Sequence, residues 1–195
     1  MASVLLLYAT GEGQTGKIAA RIAGVLGSRD HEVTVVDAER VPADLSVGAF
    51  DAVLVGSSIH MGKHPKRIRE FVRGEREALA ERPSAFFQVC LSAAAEDPER
   101  RAEADRYVEE FVAATGWRPD RTAVFAGALR YSEYGFLERA MMKRIAAKMG
   151  GDTDTGRDHE YTDWSAVERF ATAFAELVEA ETGEPRASDG PPLIV

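Results

Sequence analysis

A segment rich in glycine and hydroxyl side chains, residues 10–17, has the composition of a phosphate-binding turn. It lies between an apolar run that ends at Leu7 and a stripe of apolar residues, spaced as on one face of a helix, that begins at Ile18. A turn from a strand into a helix gathers free backbone N–H groups at the positive end of the helix dipole, which stabilises a phosphate. The glycines allow close approach to the backbone, and Thr and Gln side chains add hydrogen-bond donors. The segment is therefore predicted to bind a phosphate group.

Two kinds of phosphate-containing cofactor fit this segment. The spacing Gly11-x-Gly13-x-x-Gly16 matches the fingerprint of dinucleotide-binding turns, and Asp37 ends the next predicted strand about where an acid that binds a ribose would lie. The hydroxyls of Thr10 and Thr15, on both sides of the glycines, instead favour the flavodoxin type of loop, which wraps the single phosphate of FMN. A glycine-rich turn without any ligand is a third interpretation. The segment alone leaves NAD and FMN both open.

Strands and helices that would position this turn alternate along the chain. Apolar runs bounded by turn-forming residues predict five strands, at about residues 3–8, 31–37, 52–56, 85–91 and 123–129. Helices are predicted at about residues 14–28, from Pro65 to Leu79 and from Pro98 to Thr115, and a last helix is predicted after a cap at Asp163. This alternation is typical of a parallel α/β sheet with right-handed crossovers.

Three loops at the carboxyl ends of the predicted strands are expected to surround the ligand, because open α/β sheets bind ligands at that edge. They comprise residues 10–15, 57–62 and 92–95, and residues 127–131 could supply a fourth wall. The second and third loops carry small side chains that could flank a flat ring. His60 and His64, on either side of Lys63, could face a substrate, although a lone loop histidine is more often solvated. A flavin brings its own redox chemistry, and the sequence shows neither a catalytic triad nor a metal-ligand spacing such as C-x-x-C.

Length and composition predict one soluble globular domain. The chain has 195 residues, and its net charge of −8 argues against general nucleic-acid binding. No apolar run approaches the roughly 20 residues of a membrane span, and no signal peptide is apparent. Cys90 is the one cysteine and lies in an apolar run, which predicts a small buried side chain and a reducing, cytoplasmic compartment.

One segment, residues 130–162, does not fit the plain alternation of strands and helices. It contains an amphipathic helix at about residues 136–149, whose four basic residues and one acidic residue between 138 and 148 give a local charge of +3. A basic and apolar helix suits an anionic membrane surface, whereas the alternative is an ordinary helix that covers the sheet edge. Residues 181–195, rich in Gly and Pro, are predicted to be a flexible tail after a domain of residues 1–180.

The order of several short blocks resembles the menaquinone-dependent protoporphyrinogen IX dehydrogenases, which are FMN-dependent enzymes of haem synthesis. Besides the phosphate loop, the blocks that carry the resemblance are Ser57-Ser58-Ile59, Arg118-Pro119-Asp120-Arg121, Gly127-Ala128-Leu129-Arg130-Tyr131, Gly150-Gly151-Asp152-Thr153-Asp154-Thr155 and Tyr161-Thr162-Asp163-Trp164. The blocks after residue 117 are the specific part, because ordinary flavodoxins lack them. The resemblance implies a flavodoxin-like three-layer α/β sandwich, with a five-stranded parallel sheet in the order 2-1-3-4-5 and an extra helical insertion after strand five.

The resemblance also implies an FMN site at the three loops. The residues that would bind the cofactor are Thr10, Gly11, Glu12, Gly13, Gln14, Thr15, Ser57, Ser58, Ile59, His60, Met61, Leu91, Ser92, Ala93 and Ala94. Protoporphyrinogen IX would be the substrate, menaquinone the electron acceptor, and Arg130, Tyr131 and Lys63 the residues that contact the substrate. The helix at 136–149 would make peripheral contact with the cytoplasmic face of the cell membrane.

Four alternatives from other classes stay open on the sequence. A flavodoxin-type electron carrier would not need the insertion, and a NAD(P)H-quinone reductase would be reduced rapidly by NAD(P)H. A Rossmann dehydrogenase would use Asp37 but normally has a separate substrate domain. A flavodoxin-like module without flavin is the fourth alternative, because Glu12 stands where many flavodoxins carry a hydroxyl.

Overall fold

A computed structural model describes residues 1–95, 97–129, 154 and 156–183, and a parallel sheet organises them. The strands of this sheet are β1 (Ser3–Ala9), β2 (Glu32–Asp37), β3 (Ala52–Ser58), β4 (Ser84–Cys90) and β5 (Arg121–Ala126). The helices are α1 (Gln14–Gly27), α2 (Lys66–Gly74), α3 (Arg76–Ala80), α4 (Pro98–Thr115) and α5 (Trp164–Thr182). Short 3₁₀ turns cover Val47–Ala49 and Leu91–Ala94, and two short strands, β6 (Ala128–Leu129) and β7 (His159–Glu160), pair with each other.

The five-stranded sheet has the order β2-β1-β3-β4-β5, and all of its neighbouring strands are parallel. This order and the parallel pairing confirm the predicted sheet. The chain moves outward in one direction from β1 to β2 and in the other from β3 to β5, so the strand order reverses between β1 and β3. A crevice opens beyond the carboxyl ends of strands at such a reversal, and that is where ligands bind in folds of this type.

Two apolar layers hold the helices against the faces of the sheet. On one face α1 and α5 bury a cluster that includes Leu6, Ile18 and Phe174. On the other face the helices that follow β3 and β4 bury a second cluster, in which Phe86 and Phe111 stack with ring centroids 4.3 Å apart. The result is the three-layer sandwich that the sequence predicted.

Two predicted elements are interrupted in the structure. The helix predicted from Pro65 to Leu79 divides into α2 and α3 around Gly74 and Glu75, because a glycine weakens the helix where the chain changes direction. The strand predicted at residues 123–129 begins earlier, at Arg121, and stops at Ala126. Beyond it, the N–H of Gly127 donates to Cys90 O, while its carbonyl accepts from Tyr161 N. The chain thus leaves the parallel sheet at Gly127 to form the antiparallel pair β6–β7.

Several predictions concern residues outside the described ranges. These are the contacts of Arg130 and Tyr131, the amphipathic helix at about 136–149, and the part of the tail that follows residue 183. Helix α5 continues to Thr182, two residues into the segment predicted as a tail. Within the ranges that the structure describes, no helix is both long and apolar enough to cross a membrane.

Candidate functional site

A cleft of about 370 Å³ lies at the carboxyl edge of the sheet, beside the reversal of strand order. Its walls come from the loops after β1, β3 and β4, from α4, and from the segment between β5 and β6. The described residues that line it are Thr10, Gly11, Glu12, Gln14, Thr15, Ser58, Ile59, His60, Met61, Val89, Cys90, Leu91, Ser92, Tyr107, Gly127 and Ala128. Eleven of these belong to the fifteen residues that the sequence analysis assigned to a cofactor.

The loop after β1 leads directly into the first turn of α1. Gly13 has a φ of 84°, a left-handed conformation that glycine adopts without strain, and its N–H donates to Thr10 Oγ1 at 2.9 Å. Because the first N–H groups of a helix have no carbonyl partner within it, they are available to an anion at this end of the cleft. The described lining contains no Lys or Arg, so a phosphate here would be bound by backbone N–H groups and hydroxyls.

Two buried polar atoms of the lining have no hydrogen-bond partner among the described residues: Gln14 Oε1 and Ser58 Oγ. Gln14 is only 4% exposed, and its Nε2 donates to Thr162 Oγ1 at 2.8 Å. Buried polar groups are nearly always paired in folded proteins. A ligand with hydroxyl groups near the phosphate would satisfy both atoms, and the FMN ribityl chain carries such groups.

Asp37 lies at the carboxyl end of β2, beside Tyr8 of β1, but outside the cleft. It is not among the residues that line the cleft, and its Oδ1 accepts the N–H of Glu39 at 3.0 Å. A Cβ added at Gly16 would lie only 3.2 Å from the Tyr8 ring. The glycine therefore allows α1 to pack closely on β1. The dinucleotide fingerprint is therefore present as a spacing but lacks its acid at the site.

The loop after β3 forms a tight hairpin at the mouth of the cleft. His60 and Lys63 exchange backbone hydrogen bonds at 3.0 and 3.1 Å, and the two residues between them, Met61 and Gly62, have φ values of 49° and 74°. Two consecutive positive φ values define the tight turn that suits a two-residue hairpin. Met61, at the tip of the hairpin, is 81% exposed and lines the cleft. Lys63 is also exposed but does not line the cleft.

Ser57 and His64 lie beneath the cleft and not in its wall. His64 Nδ1 is 3.0 Å from Ser57 Oγ, and its Nε2 is 3.1 Å from the carbonyl of Tyr107. A carbonyl can only accept, so Nε2 carries the proton and Nδ1 accepts from the serine hydroxyl. Burial lowers the pKa of His64 to about 4, so the ring is neutral near pH 7. The idea that His64 faces a substrate is thus wrong, whereas His60 does line the cleft.

Helix α4 supplies a wall that the sequence analysis missed. Tyr107 lines the cleft, and burial raises the pKa of its phenol to about 12. The hydroxyl of Ser92, in the loop after β4, donates to Glu103 Oε2 at 3.2 Å. Glu103 lies on α4, one helical turn before Tyr107. The i, i+4 spacing of Glu103 and Tyr107 was the available signal, because it places both on one face of the helix.

The remaining assigned residues differ in their placement. The 3₁₀ turn Leu91–Ala94 follows β4, and its first two residues, Leu91 and Ser92, line the cleft, while Ala93 and Ala94 do not. Cys90 is buried as predicted, and burial raises the pKa of its thiol to about 11, which keeps it protonated and unreactive. In the part of the chain that the structure describes, no group of three or more His, Cys, Asp or Glu side chains is placed to hold a metal ion.

Comparisons with known proteins agree with this geometry. A family model for the flavodoxin domain matches residues 5–156. The protoporphyrinogen IX dehydrogenase (quinone) of Escherichia coli (strain K12) is 37% identical over 179 residues, which cover 91% of this chain and 97% of that protein. The protein of the same name from Leishmania major is 35% identical over 94% of this chain and 79% of its own length. Among solved structures, oxidised flavodoxin 1 of Bacillus cereus shares the fold, with a TM-score of 0.55 and 17% identity over 89% of this chain and 97% of that one.

Proposed function

Because the chain belongs to the flavodoxin-domain family and to the protoporphyrinogen IX dehydrogenases (quinone), we propose that it oxidises protoporphyrinogen IX to protoporphyrin IX, with FMN as cofactor and a quinone as electron acceptor. The observation that carries the proposal is the cleft at the reversal of strand order. It combines the N-terminus of α1, which suits a phosphate, with the unpaired acceptor Gln14 Oε1, which suits a ligand hydroxyl. The acid expected of a NAD site is not there.

The overall reaction removes six hydrogens from the porphyrinogen in three successive two-electron steps. Each step converts one quinone to a quinol, so electrons and protons balance. Bound FMN would supply the chemistry of electron-pair transfer between substrate and quinone, so the protein would need no catalytic triad. The protein's part is to bind and orient: the residues of the loop after β1 hold the phosphate, while the loops after β3 and β4 border the flat ring.

The acceptor and the contacts of the substrate are finer parts of the proposal. Menaquinone is the acceptor that the blocks after residue 117 favour. Arg130 and Tyr131 directly follow β6, whose Ala128 lines the cleft, and Lys63 lies in the hairpin at its mouth. Cationic side chains there would bind the two propionates of the porphyrinogen by charge-assisted hydrogen bonds.

A substitution tests the role of Arg130. Arg130→Ala should raise the KM for the porphyrinogen several-fold while kcat changes little, since the lost interaction holds the substrate equally before and during reaction. Steady-state kinetics with varied porphyrinogen measures both constants, and Arg157→Ala, in an exposed ion pair with Asp154, is a surface control. An unchanged KM would remove Arg130 from the proposed substrate site.

Localisation is proposed as cytoplasmic, with peripheral contact at the cytoplasmic face of the cell membrane through residues 136–149. The support is the local charge of +3 in a chain of net charge −8, because basic amphipathic segments are attracted to anionic lipid. Co-sedimentation with vesicles of anionic lipid, but not with vesicles of phosphatidylcholine alone, is the expected result. Equal recovery in the two supernatants would contradict membrane contact.

An anaerobic assay tests the proposed reaction. Protein freed of flavin is mixed with protoporphyrinogen IX and a menaquinone analogue, with and without FMN, while porphyrin fluorescence is followed. Porphyrin should form only when FMN and quinone are both present. Bound FMN without porphyrin formation would favour an electron carrier or, if NADPH reduces the flavin rapidly, a quinone reductase.

A further inference from the structure

Thr162 makes two hydrogen bonds that join the segment after β7 to the cleft. Its hydroxyl donates to the carbonyl of Ala126, the last residue of β5, at 2.8 Å. The same oxygen is 2.8 Å from Gln14 Nε2, although the two residues are 148 positions apart in the chain. A hydroxyl has a single proton, and the carbonyl of Ala126 takes it. Thr162 can therefore only accept from Gln14.

This acceptor fixes the orientation of the Gln14 amide. The amide nitrogen must face Thr162, so the oxygen, Oε1, faces away from it, buried and without a partner among the described residues. Glu160 supports the same orientation, because a carboxylate can only accept. Burial alone would raise the pKa of Glu160, but hydrogen bonds from Trp164, Gln14 and Lys17 outweigh burial and leave the pKa below its ordinary value. The hydrogen bond to Thr162 thus holds the Gln14 nitrogen, and the nearby Glu160 carboxylate favours the same orientation.

We infer that Thr162 is a positioning residue of the cofactor site, which holds the Gln14 amide so that Oε1 accepts a hydrogen bond from a hydroxyl of FMN; this inference rests on the function proposed above. A phosphate or a ring carbonyl is itself an acceptor and would be repelled by Oε1. The ribityl hydroxyls are donors, and they are the part of FMN that lies next to the phosphate. The segment that follows β7 therefore takes part in cofactor binding without touching the cofactor.

The first test compares Thr162→Val, which keeps the shape of the side chain but removes the hydroxyl, with Thr162→Ser, which keeps it. FMN is titrated into each protein freed of flavin, and binding is followed by the quenching of flavin fluorescence. The valine variant should raise the Kd for FMN about ten-fold, since the Gln14 amide then loses the acceptor that holds it in one orientation and leaves its buried nitrogen unpaired. The serine variant should restore the Kd to within about two-fold of the unaltered protein. A valine variant with the original affinity would overturn the inference.

A double-mutant cycle separates positioning from a general structural role. If Thr162 acts through Gln14, Thr162→Val should have no further effect on FMN binding in a Gln14→Ala background. Additive losses would overturn the inference, because Thr162 would then act by another route. Thr162→Ala, which removes bulk as well as the hydroxyl, replaces valine in the cycle if valine prevents folding.

The outcomes also distinguish this inference from the proposed function. If the unaltered protein binds no FMN, both fall together. If it binds FMN and oxidises the porphyrinogen but Thr162→Val binds FMN equally well, only the inference falls. If it binds FMN with the expected response to Thr162→Val yet forms no porphyrin, the inference stands and the proposed reaction falls.

Discussion

The imidazole of His64 is buried between the end of β3 and α4, where both of its nitrogens are hydrogen-bonded. The Phe86 and Phe111 rings pack against it at centroid distances of 5.7 and 4.7 Å. A protonated ring would donate from Nδ1 to the Ser57 oxygen instead, so the cost of protonation lies in placing a charge in this buried, apolar position. The neutral ring thus links the end of β3, beneath the cleft, to helix α4, which forms one wall of the cleft.

The titration of His64 gives a prediction about stability and pH. The pKa is about 4 in the folded protein and 6.5 for an ordinary histidine, so unfolding takes up a proton between these values. Stability from this group is therefore present above pH 6.5 and is lost as the pH falls toward 4. Between pH 7 and pH 5 the loss should be about 2 kcal/mol. Urea unfolding at the two pH values measures it.

His64→Gln is the matched variant, because an amide keeps a donor and an acceptor but does not titrate in this range. The variant should be less stable than the original protein at pH 7, but its stability should depend less on pH between 7 and 5. An equally steep loss in the variant would show that other groups cause the pH dependence.

Gly56, in the middle of β3, leads to a second prediction at the scale of single residues. A Cβ there would occupy the space of the Phe87 ring, which is fully buried. Gly56→Ala should therefore lower the free energy of unfolding by about 1–3 kcal/mol. Gly24, at an exposed position within α1 with open space around its Cα, is the control, and Gly24→Ala should raise it by about 0.5–1 kcal/mol. Equal effects of the two substitutions on the free energy of urea unfolding would contradict the close contact between Gly56 and Phe87.

The residues of the site were predictable where local chemistry decides them. Hydroxyls and glycines between a strand and a helix predicted a phosphate loop after β1, and the structure places that loop in the cleft wall. Local chemistry could not distinguish the roles of the neighbouring residues Ser57 and Ser58. Ser57 contacts His64 beneath the cleft, whereas Ser58 lines the cleft. That difference depends on where β3 ends and on a histidine seven residues later, and neither is visible in the residue type.

At the scale of elements, two serine–aspartate pairs fasten the edge of the sheet opposite the cleft. Ser3, at the start of β1, donates its N–H and hydroxyl to Asp51 Oδ2, at 2.7 and 2.8 Å. Ser84, at the start of β4, does the same to Asp120 Oδ2, at 2.8 and 3.2 Å. Each aspartate directly precedes the neighbouring strand, β3 or β5. The two pairs therefore align parallel neighbours at their first residues.

This arrangement predicts unequal costs for the two aspartates. Asp120→Ala should lower the free energy of unfolding by about 1–2 kcal/mol, because Ser84 is buried and its N–H would be left unpaired. Asp51→Ala should lower the free energy of unfolding by less, since water can reach Ser3 and replace the lost hydrogen bonds. Chemical denaturation measures both, and FMN binding should be unchanged in each because the cleft lies at the other edge. A larger cost for Asp51 would contradict the explanation.

Elements were predictable where a buried, apolar run is bounded by turn residues, as in β1, β3 and β4. The run at residues 123–129 is apolar on both sides of Gly127, and the structure divides it at that glycine. Its final residues pair with β7, about thirty positions further along the chain, and a glycine alone does not indicate that partner. Tyr107 was missed for a related reason, since its place in the cleft wall depends on how helix α4 packs beside the loop after β4.

At the scale of the whole molecule, the cleft should link cofactor binding to global stability. A ligand that binds only the folded state stabilises it by about 2.7 kcal/mol at one hundred times its Kd. For a chain of this size, each kcal/mol raises the Tm by about 2–4 °C. FMN should therefore raise the Tm by about 5–10 °C. Thermal unfolding with added ligand, followed by circular dichroism, measures the shift.

Two other ligands make this experiment specific. Riboflavin lacks the phosphate that the N-terminus of α1 would bind, so its shift at the same concentration should be smaller. NAD should cause none, because Asp37 lies outside the cleft lining. A shift with NAD as large as that with FMN would contradict the assignment of the cofactor.

The hydrogen bond between Gln14 and Thr162 has a consequence for how the protein is made. Synthesis on the ribosome proceeds from the N-terminus, so the loop after β1 emerges well before Thr162, which follows Gln14 by 148 positions. Helix α5, which packs against α1, emerges later still. The nascent chain can thus form its first strands but cannot complete the cleft. A nascent chain that ends before Thr162 would therefore lack the acceptor for Gln14 and should bind the flavin more weakly than the folded protein does.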